Sequence, residues 1–356
     1  MKKIQVGIIG TGFGATVHAP ILGLHEGFEV KAIASVYRGR SNDAFKEIEV
    51  NHIYTNWKEM LDKEELDLIT ICSVPSHHYE MTMESINKNV HVLCEKPLGI
   101  SACQTSRMLE AQQNSNVMGF VNFQWRLTPE RMKIKEMVSN NELGEIQYIK
   151  YIGSFSGYNS LLSQYRGWEG RRQDGGGFLS AVGSHMLDSL MWWMDQPISD
   201  VYAELKTLVP VFHGSAGIEQ RDSDDAFTIM GHFENGTPFM VDVFYPAVRG
   251  NGWKLEIFGT KGTLVMNNDR DLMISSGGEF HNLQIEDQSL PSHLPAPANQ
   301  YYRGLYPMVD QIYYSIVNQK LDLNVPTFAD GHRVQLVMDA VYESAASQAM
   351  TLVKRK

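Results

Sequence analysis

A glycine-rich turn directly after the first apolar segment constrains the fold of this chain most strongly. The stretch "GIIGTGFGA" places Gly10, Gly12 and Ala15 in the spacing G-x-G-x-x-G/A. In this spacing the first glycine makes a tight turn, the second admits a pyrophosphate to the backbone, and the third small residue lets a helix pack closely on the strand. The N-terminus of the helix that follows stabilises the negative charge of the pyrophosphate. The context predicts a dinucleotide-binding βαβ unit, with a ligand-free glycine turn as the alternative.

Apolar segments of strand length alternate with segments of helical spacing over residues 1–123. Continuous apolar strands between helices are typical of a parallel sheet that is covered on both faces. The predicted strands lie at residues 4–10, 28–35, 66–74, 89–95 and 116–123, and the predicted helices at 42–49, 56–65, 78–89 and 101–114.

The pattern changes after Phe123 to longer runs with partial period-two alternation, separated by turns such as "ENGTP", "GNG" and "TKG". Such runs indicate a mostly antiparallel sheet. Helices are expected after Pro129 and near 183–194, 304–318 and 330–349. The predicted fold is therefore a Rossmann-type α/β domain over residues 1–123, followed by an α+β domain over residues 124–356.

The composition excludes several partners. A net charge of −10 without a basic block argues against nucleic acid and anionic membranes. No stretch reaches the roughly 18 apolar residues of a membrane span. The three cysteines have no paired spacing, which favours reduced thiols in a cytoplasmic protein. No metal site is predicted.

The end of the second strand bears on the choice of dinucleotide. An adenosine ribose with free hydroxyls usually meets an acidic residue at this position. Here Ser35 stands there, with Arg38 and Arg40 close behind. A hydroxyl and guanidinium groups suit a 2′-phosphate, which favours NADP over NAD. The alternative is that both arginines are solvated loop residues.

The stretch "HVLCEKPLGIS" puts Glu95, Lys96 and Pro97 at the end of a strand, the edge where open α/β sheets bind ligands. A lysine there can hold a substrate hydroxyl and take part in proton transfer. Lys96 could equally be an ordinary solvated lysine.

Together with "SVPSHHYE" and "GGGFLSAVGSHMLD", these motifs resemble the Gfo/Idh/MocA oxidoreductases, which include glucose–fructose oxidoreductase and inositol dehydrogenase. The resemblance extends over nearly the whole chain, through "EIFGTKGTL" and "VMDAVYESAASQ". It implies a second domain with an open sheet, homodimers or homotetramers, and a sugar or polyol substrate.

The resemblance also implies roles for individual residues on the dinucleotide side. Ser73, Pro75 and His78 match the segment that borders the nicotinamide ribose. Glu95 and Lys96 match the Glu-Lys-Pro motif, whose lysine contacts both cofactor and substrate. The pyrophosphate would be held by Gly10, Gly12, Phe13, Gly14 and Ala15.

His185 matches the catalytic histidine of the family, and an imidazole suits acid–base work near neutral pH. Glycines 175–177 are expected to make room for the reactive end of the cofactor. The family usually carries an aspartate four residues before this histidine, where this chain has Ala181. Asp188 could orient the imidazole instead, or be a surface or interface carboxylate.

Aromatic and guanidinium groups suit a polyol or sugar-acid pocket. The predicted substrate-binding residues are Tyr158, Trp168, Arg172 and Asp188, beside Lys96 and His185, and further candidates are Arg126, Tyr165, Arg171 and Asp174. The sequence thus predicts an NAD(P)-dependent oxidoreductase that acts on CH–OH groups. The alternative, favoured by Ala181, is a catalytically silent protein that binds dinucleotide and ligand and regulates a partner.

Overall fold

The computed structural model describes residues 3–36, 50, 52–286 and 289–354. The chain divides into two compact units, each with its own sheet. The first comprises Met1–Gly99, Cys103–Leu127 and Asp287–His332, and the second comprises Ile100–Ala102, Thr128–Glu286 and Arg333–Lys356. The helix predicted over 42–49 and the residues Arg38 and Arg40 lie outside the described residues.

The first unit contains a six-stranded parallel sheet in the order β3-β2-β1-β4-β5-β6. Strand β4 is fully buried, and β1 nearly so, which is why both read as continuous apolar runs. The prediction of a parallel α/β unit is confirmed. The strands are β1 (Ile4–Ile9), β2 (Phe28–Ala34), β3 (His52–Tyr54), β4 (Leu68–Ile71), β5 (His91–Cys94) and β6 (Gly119–Val121).

Among the described residues, helices lie between β1 and β2, between β3 and β4, between β4 and β5, and between β5 and β6, as the alternation predicts. A π-helical turn over Gly14–His18 leads into a short helix α1 that has Pro20 at its start, where proline is tolerated. The helices of this part of the chain are α1 (Ala19–Gly23), α2 (Trp57–Lys63), α3 (Pro75–Asn87) and α4 (Ala102–Gln113).

The first unit also includes a segment from late in the chain. Helix α8 (Ala298–Asn318) packs Tyr301 against Phe13 and Tyr313 against Phe28. The division therefore differs from a single boundary at residue 123, because α8 buries its apolar face on the first unit. Sequence proximity could not reveal this long return.

The second unit contains a nine-stranded sheet in the order β16-β15-β14-β13-β7-β12-β11-β8-β17. All neighbours are antiparallel except β7 and β12, which are parallel. This confirms the predicted mostly antiparallel sheet. The strands are β7 (Ile146–Ser154), β8 (Ile198–Lys206), β11 (Ala226–Phe233), β12 (Pro238–Phe244), β13 (Gly252–Gly259), β14 (Thr263–Asn267), β15 (Asp271–Ser275), β16 (His281–Asn282) and β17 (Thr351–Leu352).

A separate hairpin joins β9 (Val211–Gly214) to β10 (Gly217–Gln220).

The predicted helices after Pro129 and near 183–194 are present as α5 and α7. Arg131 of α5 is fully buried, where it pairs with Asp269 at 2.9 Å and donates to Ser189 of α7 at 2.8 Å. The remaining helices are α5 (Pro129–Ser139), α6 (Tyr158–Ser163), α7 (Ser184–Met194) and α9 (Phe328–Ser347). Among the described residues, no helix combines the length and apolar character that a membrane crossing requires.

Candidate functional site

The glycine-rich turn after β1 has the geometry that the motif predicts. Gly10 has φ +125°, and a Cβ there would lie 2.3 Å from the carbonyl oxygen of Cys72, so only glycine fits. Gly12 is exposed, and a Cβ there would meet no heavy atom within 4 Å. The turn is thus packed tightly at Gly10 and leaves room at Gly12, which is the fit that a dinucleotide pyrophosphate requires.

The chain continues from this turn into the π-helical turn Gly14–His18. Gly14 is buried, with its Cβ position 2.7 Å from Ile8 Cγ2, and Ala15 is buried beside it. The ring of Phe13 packs edge-on against His18 at 5.5 Å between centroids. Short π-helical turns are frequent at functional sites. Here the turn carries His18 to the carboxyl end of β5.

A buried ion pair lies beneath the turn. His18 Nε2 lies 2.8 Å from Glu95 Oε1, to which Asn122 Nδ2 donates at 2.5 Å. Burial disfavours the charged imidazolium, but Cys72 and Glu95 outweigh it and raise the pKa of His18 to about 10. Burial also opposes the charge on Glu95, yet the hydrogen bond from His18 holds its pKa below the ordinary value. Sequence analysis identified Glu95 but missed His18 and Asn122.

Cys72 lies beside this pair, between the glycine turn and His18. Donor atoms of His18, Cys72 and Glu95 all lie within 4.8 Å of one another, close enough to share a metal ion. Burial raises the pKa of the Cys72 thiol, and the neighbouring His18 acts on it in the opposite direction. Because Glu95 already accepts from His18 and Asn122, the contacts favour a hydrogen-bonded ion pair at this position.

Ser73, Pro75 and His78 shape the segment after β4. Pro75 is the first residue of α3, where its missing N–H costs nothing. His78 is fully buried, with Nδ1 2.9 Å from the Pro97 carbonyl and Nε2 3.1 Å from the Ser73 carbonyl. Burial lowers the pKa of His78. His78 therefore ties the segment after β4 to the segment after β5.

Lys96 follows Glu95 at the end of β5 and is half-buried. Its backbone N–H lies 3.3 Å from Glu95 Oε2, and its charge helps to lower the pKa of Glu95. The peptide bond between Lys96 and Pro97 is cis. The structure thus brings Lys96 and Glu95 to the same sheet edge as the glycine turn. We call Gly10–Ala15, His18, Glu95 and Lys96 the glycine-turn site.

Ser35 is buried at the end of β2, and its N–H donates to the Tyr54 carbonyl at 2.9 Å. This anchors the strand end at which an adenosine ribose is recognised in such folds.

The second unit contains the glycines ahead of His185. A Cβ at Gly176 would lie 2.3 Å from the Glu169 carbonyl oxygen, and one at Gly177, with φ +109°, would lie 2.2 Å from Asp224 Oδ1. Gly175 has φ +84°. We expected these glycines to make room for a cofactor, and the structure supplies a reason inside the second unit: backbone and carboxylate pack directly against them.

A second π-helical turn, Leu179–Gly183, leads into α7, which carries His185 and Asp188. Both side chains are almost completely buried, at 2% and 1% exposure. Ala181, which stands where the family usually has aspartate, is exposed. Their different exposures show that residues 181 and 185 do not share one environment.

Asp224 anchors the start of this helical segment. Its Oδ2 accepts the Leu179 N–H at 2.7 Å, and its backbone carbonyl accepts the Phe178 N–H at 3.0 Å. Burial raises the pKa of Asp224 to about 6. Sequence analysis missed this residue, although the acidic pair in "SDDAF" directly before a predicted strand was a visible signal. We call Gly175–Leu179, His185 and Asp224 the histidine segment.

Arg172 lies next to the histidine segment, although it is exposed. Its guanidinium lies 3.8 Å from the ring centroid of Tyr342, on α9. Burial raises the pKa of Tyr342, and Ser180 hydrogen-bonds its hydroxyl. Tyr342 was another residue that sequence analysis missed, because it lies far away in a plain helical pattern.

The other predicted substrate residues are spread more widely. Tyr158 is exposed at the start of α6, and Trp168 is half-buried in a 3₁₀ turn. Tyr165 is held by the hairpin, since its hydroxyl donates to the Gly217 carbonyl at 2.8 Å. Arg171 pairs with Asp174 at 2.7 Å. Arg126 is buried in the first unit and pairs with Asp330 at 3.0 Å.

Two family models match the chain. One, described as an oxidoreductase family with an NAD-binding Rossmann fold, matches residues 4–123. The other, described as the GFO/IDH/MocA C-terminal domain, matches residues 132–265. The two matches coincide with the parallel sheet and with most of the antiparallel sheet.

Two curated relatives are dehydrogenases of sugar-like compounds. A levoglucosan dehydrogenase from Pseudarthrobacter phenanthrenivorans is 25% identical over 98% of this chain and 98% of its own. A myo-inositol 2-dehydrogenase from Thermotoga maritima is 27% identical over 76% of this chain and 77% of its own. A solved structure, levoglucosan dehydrogenase in complex with NADH and L-sorbose, superimposes with a TM-score of 0.88 at 21% identity, covering 100% of both chains. At this identity the superposition establishes the fold.

Proposed function

Because the chain belongs to the GFO/IDH/MocA oxidoreductase family, we propose that it moves a hydride between a nicotinamide dinucleotide and a sugar, polyol or sugar derivative. The reacting group of that substrate is a hydroxyl or a carbonyl. The names of the relatives support this substrate class, since they act on inositol and levoglucosan.

The observation that carries the proposal is the glycine-turn site. Gly10 is fixed against Cys72, while Gly12 is exposed and its Cβ position is clear of other atoms. Lys96 follows β5 at the same end of the sheet's strands. Gly10, Gly12, Phe13, Gly14 and Ala15 would hold the pyrophosphate, and Ser73, Pro75, His78 and Glu95 would shape the surface beside the nicotinamide ribose.

The bound nicotinamide accepts or donates the hydride. Lys96 then has two tasks, since an ammonium group can donate hydrogen bonds to a ribose hydroxyl and to a substrate oxygen. Its neighbour Glu95 lies 2.8 Å from His18 and forms an ion pair with it.

His185 is the proposed acid–base group. When the alcohol is oxidised, its carbon gives up a hydride and its oxygen gives up a proton, which the imidazole accepts; reduction reverses both transfers. Asp188, buried one helical turn later, is proposed to orient the ring or the substrate. Tyr158, Trp168 and Arg172 are proposed to contact the substrate.

The proposal is tested with a panel of sugars, polyols and sugar acids, each offered with NAD and with NADP, while nicotinamide absorbance is followed. We expect turnover with at least one compound, and Lys96→Ala should reduce that turnover far more than it reduces dinucleotide affinity. Tight dinucleotide binding without turnover across the panel would favour the silent regulatory alternative, for which Ala181 is the supporting observation.

We also propose that the chain prefers NADP over NAD. The buried Ser35 fixes the strand end, and Arg38 follows within three residues. Arg38→Ala should weaken NADP binding by about 1–3 kcal/mol, the contribution of a hydrogen bond to a charged group, and leave NAD binding unchanged. Fluorescence titration with both dinucleotides measures this, and an equal loss for both would contradict the assignment.

We also propose that the protein is a cytoplasmic homodimer or homotetramer. The second unit's sheet keeps apolar side chains exposed, Met230 at 47% and Phe244 at 41%. The three cysteines are unpaired thiols, as a reducing compartment favours. Light scattering during size-exclusion chromatography tests the assembly.

A further inference from the structure

We propose that Asp224 is a positioning residue for His185, which it holds in place through the backbone of Gly177–Leu179. This inference rests on the proposed role of His185 as the acid–base group. Asp224 is almost completely buried and lies two residues before β11 (Ala226–Phe233), so it is held at the start of an interior strand of the second unit's sheet.

Asp224 binds the start of the helical segment by side chain and backbone. Its Oδ2 accepts the Leu179 N–H at 2.7 Å, and its carbonyl accepts the Phe178 N–H at 3.0 Å. Leu179 is the first residue of the π-helical turn that continues into α7. A carboxylate there accepts a hydrogen bond from an N–H that lacks a partner within the helix. Its negative charge also interacts favourably with the positive end of the helix dipole. His185 is six residues further along the same continuous helical segment.

The other carboxylate oxygen packs on Gly177. A Cβ at Gly177 would lie 2.2 Å from Oδ1. The carboxylate therefore sits between the glycine backbone and the helix, and a shift of either is transmitted to the other.

Burial of the Asp224 carboxylate disfavours its charged form. Burial raises its pKa from 3.8 to about 6, Asp225 raises it further, and Leu179 N–H and Arg166 lower it. Tyr342 also faces it, since Asp224 raises the pKa of that phenol. Because the folded-state pKa lies above the unfolded one, the unfolding free energy falls as pH rises from about 4 to about 6. A neutral side chain would avoid this loss of stability at neutral pH.

The test measures kcat and dinucleotide affinity for Asp224→Ala and Asp224→Asn, each alone and combined with His185→Ala, on the best substrate. Asp224→Ala should reduce kcat roughly 10–100-fold, the scale of an ångström-sized misplacement. Asp224→Asn keeps an acceptor for the Leu179 N–H and should lose less. Dinucleotide affinity should stay unchanged. In the His185→Ala background neither change should reduce kcat further, because Asp224 acts through His185.

Two further variants keep the result decisive. Gly177→Ala presses on Oδ1 from the opposite side and should reproduce the loss, and Asp271→Asn, an exposed carboxylate change in the same sheet, should leave kcat unaltered. The unfolding free energy of Asp224→Asn at pH 7.5 should equal or exceed that of the unmodified protein. Equal losses of kcat with and without His185 would overturn the positioning role of Asp224 and leave the proposed function standing. Full activity of a folded Gly177→Ala protein would do the same. Full activity of His185→Ala would remove the proposed function and this inference together.

Discussion

The glycine-turn site and the histidine segment are built alike up to their histidines. Each contains a glycine with positive φ that packs against a fixed oxygen, Gly10 on the Cys72 carbonyl and Gly177 on the Asp224 carboxylate. Each continues into a five-residue π-helical turn followed by an α-helix. His18 ends the first π-helical turn, and His185 follows the second by two residues.

The two regions differ in what the nearby carboxylate binds. Glu95 binds the imidazole of His18 and neutralises its charge, whereas Asp224 binds the backbone at the start of the His185 helix. If the proposals above hold, the same local backbone carries a structural histidine where the carboxylate binds the ring and a positioned acid–base histidine where the carboxylate binds the start of the helix.

The largest expected effect comes from removing the second histidine. His185→Ala should reduce kcat by about 10²–10⁴-fold, the contribution of a general acid–base group, and leave the fold intact. Steady-state kinetics with circular dichroism as a folding check measure both. His232→Ala is the matched control, because His232 pairs with Asp200 at 2.8 Å on the exposed part of the same unit. A loss of kcat of equal size in both variants would show that His185 has no special role in catalysis.

Breaking the ion pair between His18 and Glu95 should lower the stability of the fold. Glu95→Gln leaves His18 buried beside a neutral amide and should lower the unfolding free energy by about 3–5 kcal/mol. Urea denaturation followed by tryptophan fluorescence measures it. Glu59→Gln removes an exposed pair with Lys63, 2.6 Å apart in α2, and should lower the unfolding free energy far less, because solvent screens the two charges. Similar losses in the two variants would show that the buried pair is no stronger than a surface one.

The same pair predicts a pH dependence. Burial lowers the pKa of His18, but Cys72 and Glu95 together raise it from 6.5 to about 10, so its contribution is fully present below pH 6.5 and is lost as pH rises towards 10. The unfolding free energy should therefore fall across this window, and it should fall less in Glu95→Gln, which removes the part of the shift that Glu95 causes. Parallel curves for the two proteins would show that Glu95 contributes nothing to the shift.

The smallest expected effect tests the departure from the family pattern. Ala181→Asp restores a carboxylate four residues before His185, and a negative charge favours a protonated imidazole. The pH profile of kcat should therefore move upward. Because position 181 is exposed and position 185 is buried, solvent screening should keep the shift small. A large shift would show that the two side chains meet directly.

Much of the fold was predictable because its signals are local. Buried strands such as β4 and β5 read as apolar runs, and the glycine turn announced the first βαβ unit. The strands that sequence analysis missed are β3, the β9–β10 hairpin, β15, the edge strands β16 and β17, and the long interior strand β8. Edge strands bury little surface, so their sequences carry little periodicity.

Motifs predicted Lys96 and His185 as site residues, and these residues lie at the end of β5 and on α7. The hydrogen-bond partners around these motifs could not be predicted, because they come from distant parts of the chain. Asn122 reaches Glu95 across 27 residues, and Asp224 reaches Leu179 across 45. Sequence spacing cannot show such pairings when each partner alone is an ordinary polar residue.

The late return of α8 has a consequence for biosynthesis. Phe13 and Phe28 are translated first, but their partners Tyr301 and Tyr313 emerge from the ribosome only after every strand of the antiparallel sheet except β17 has been made. A nascent chain that stops at Leu127 therefore leaves these aromatic surfaces uncovered. We expect such a fragment to be aggregation-prone, because the first unit is completed only near the end of translation.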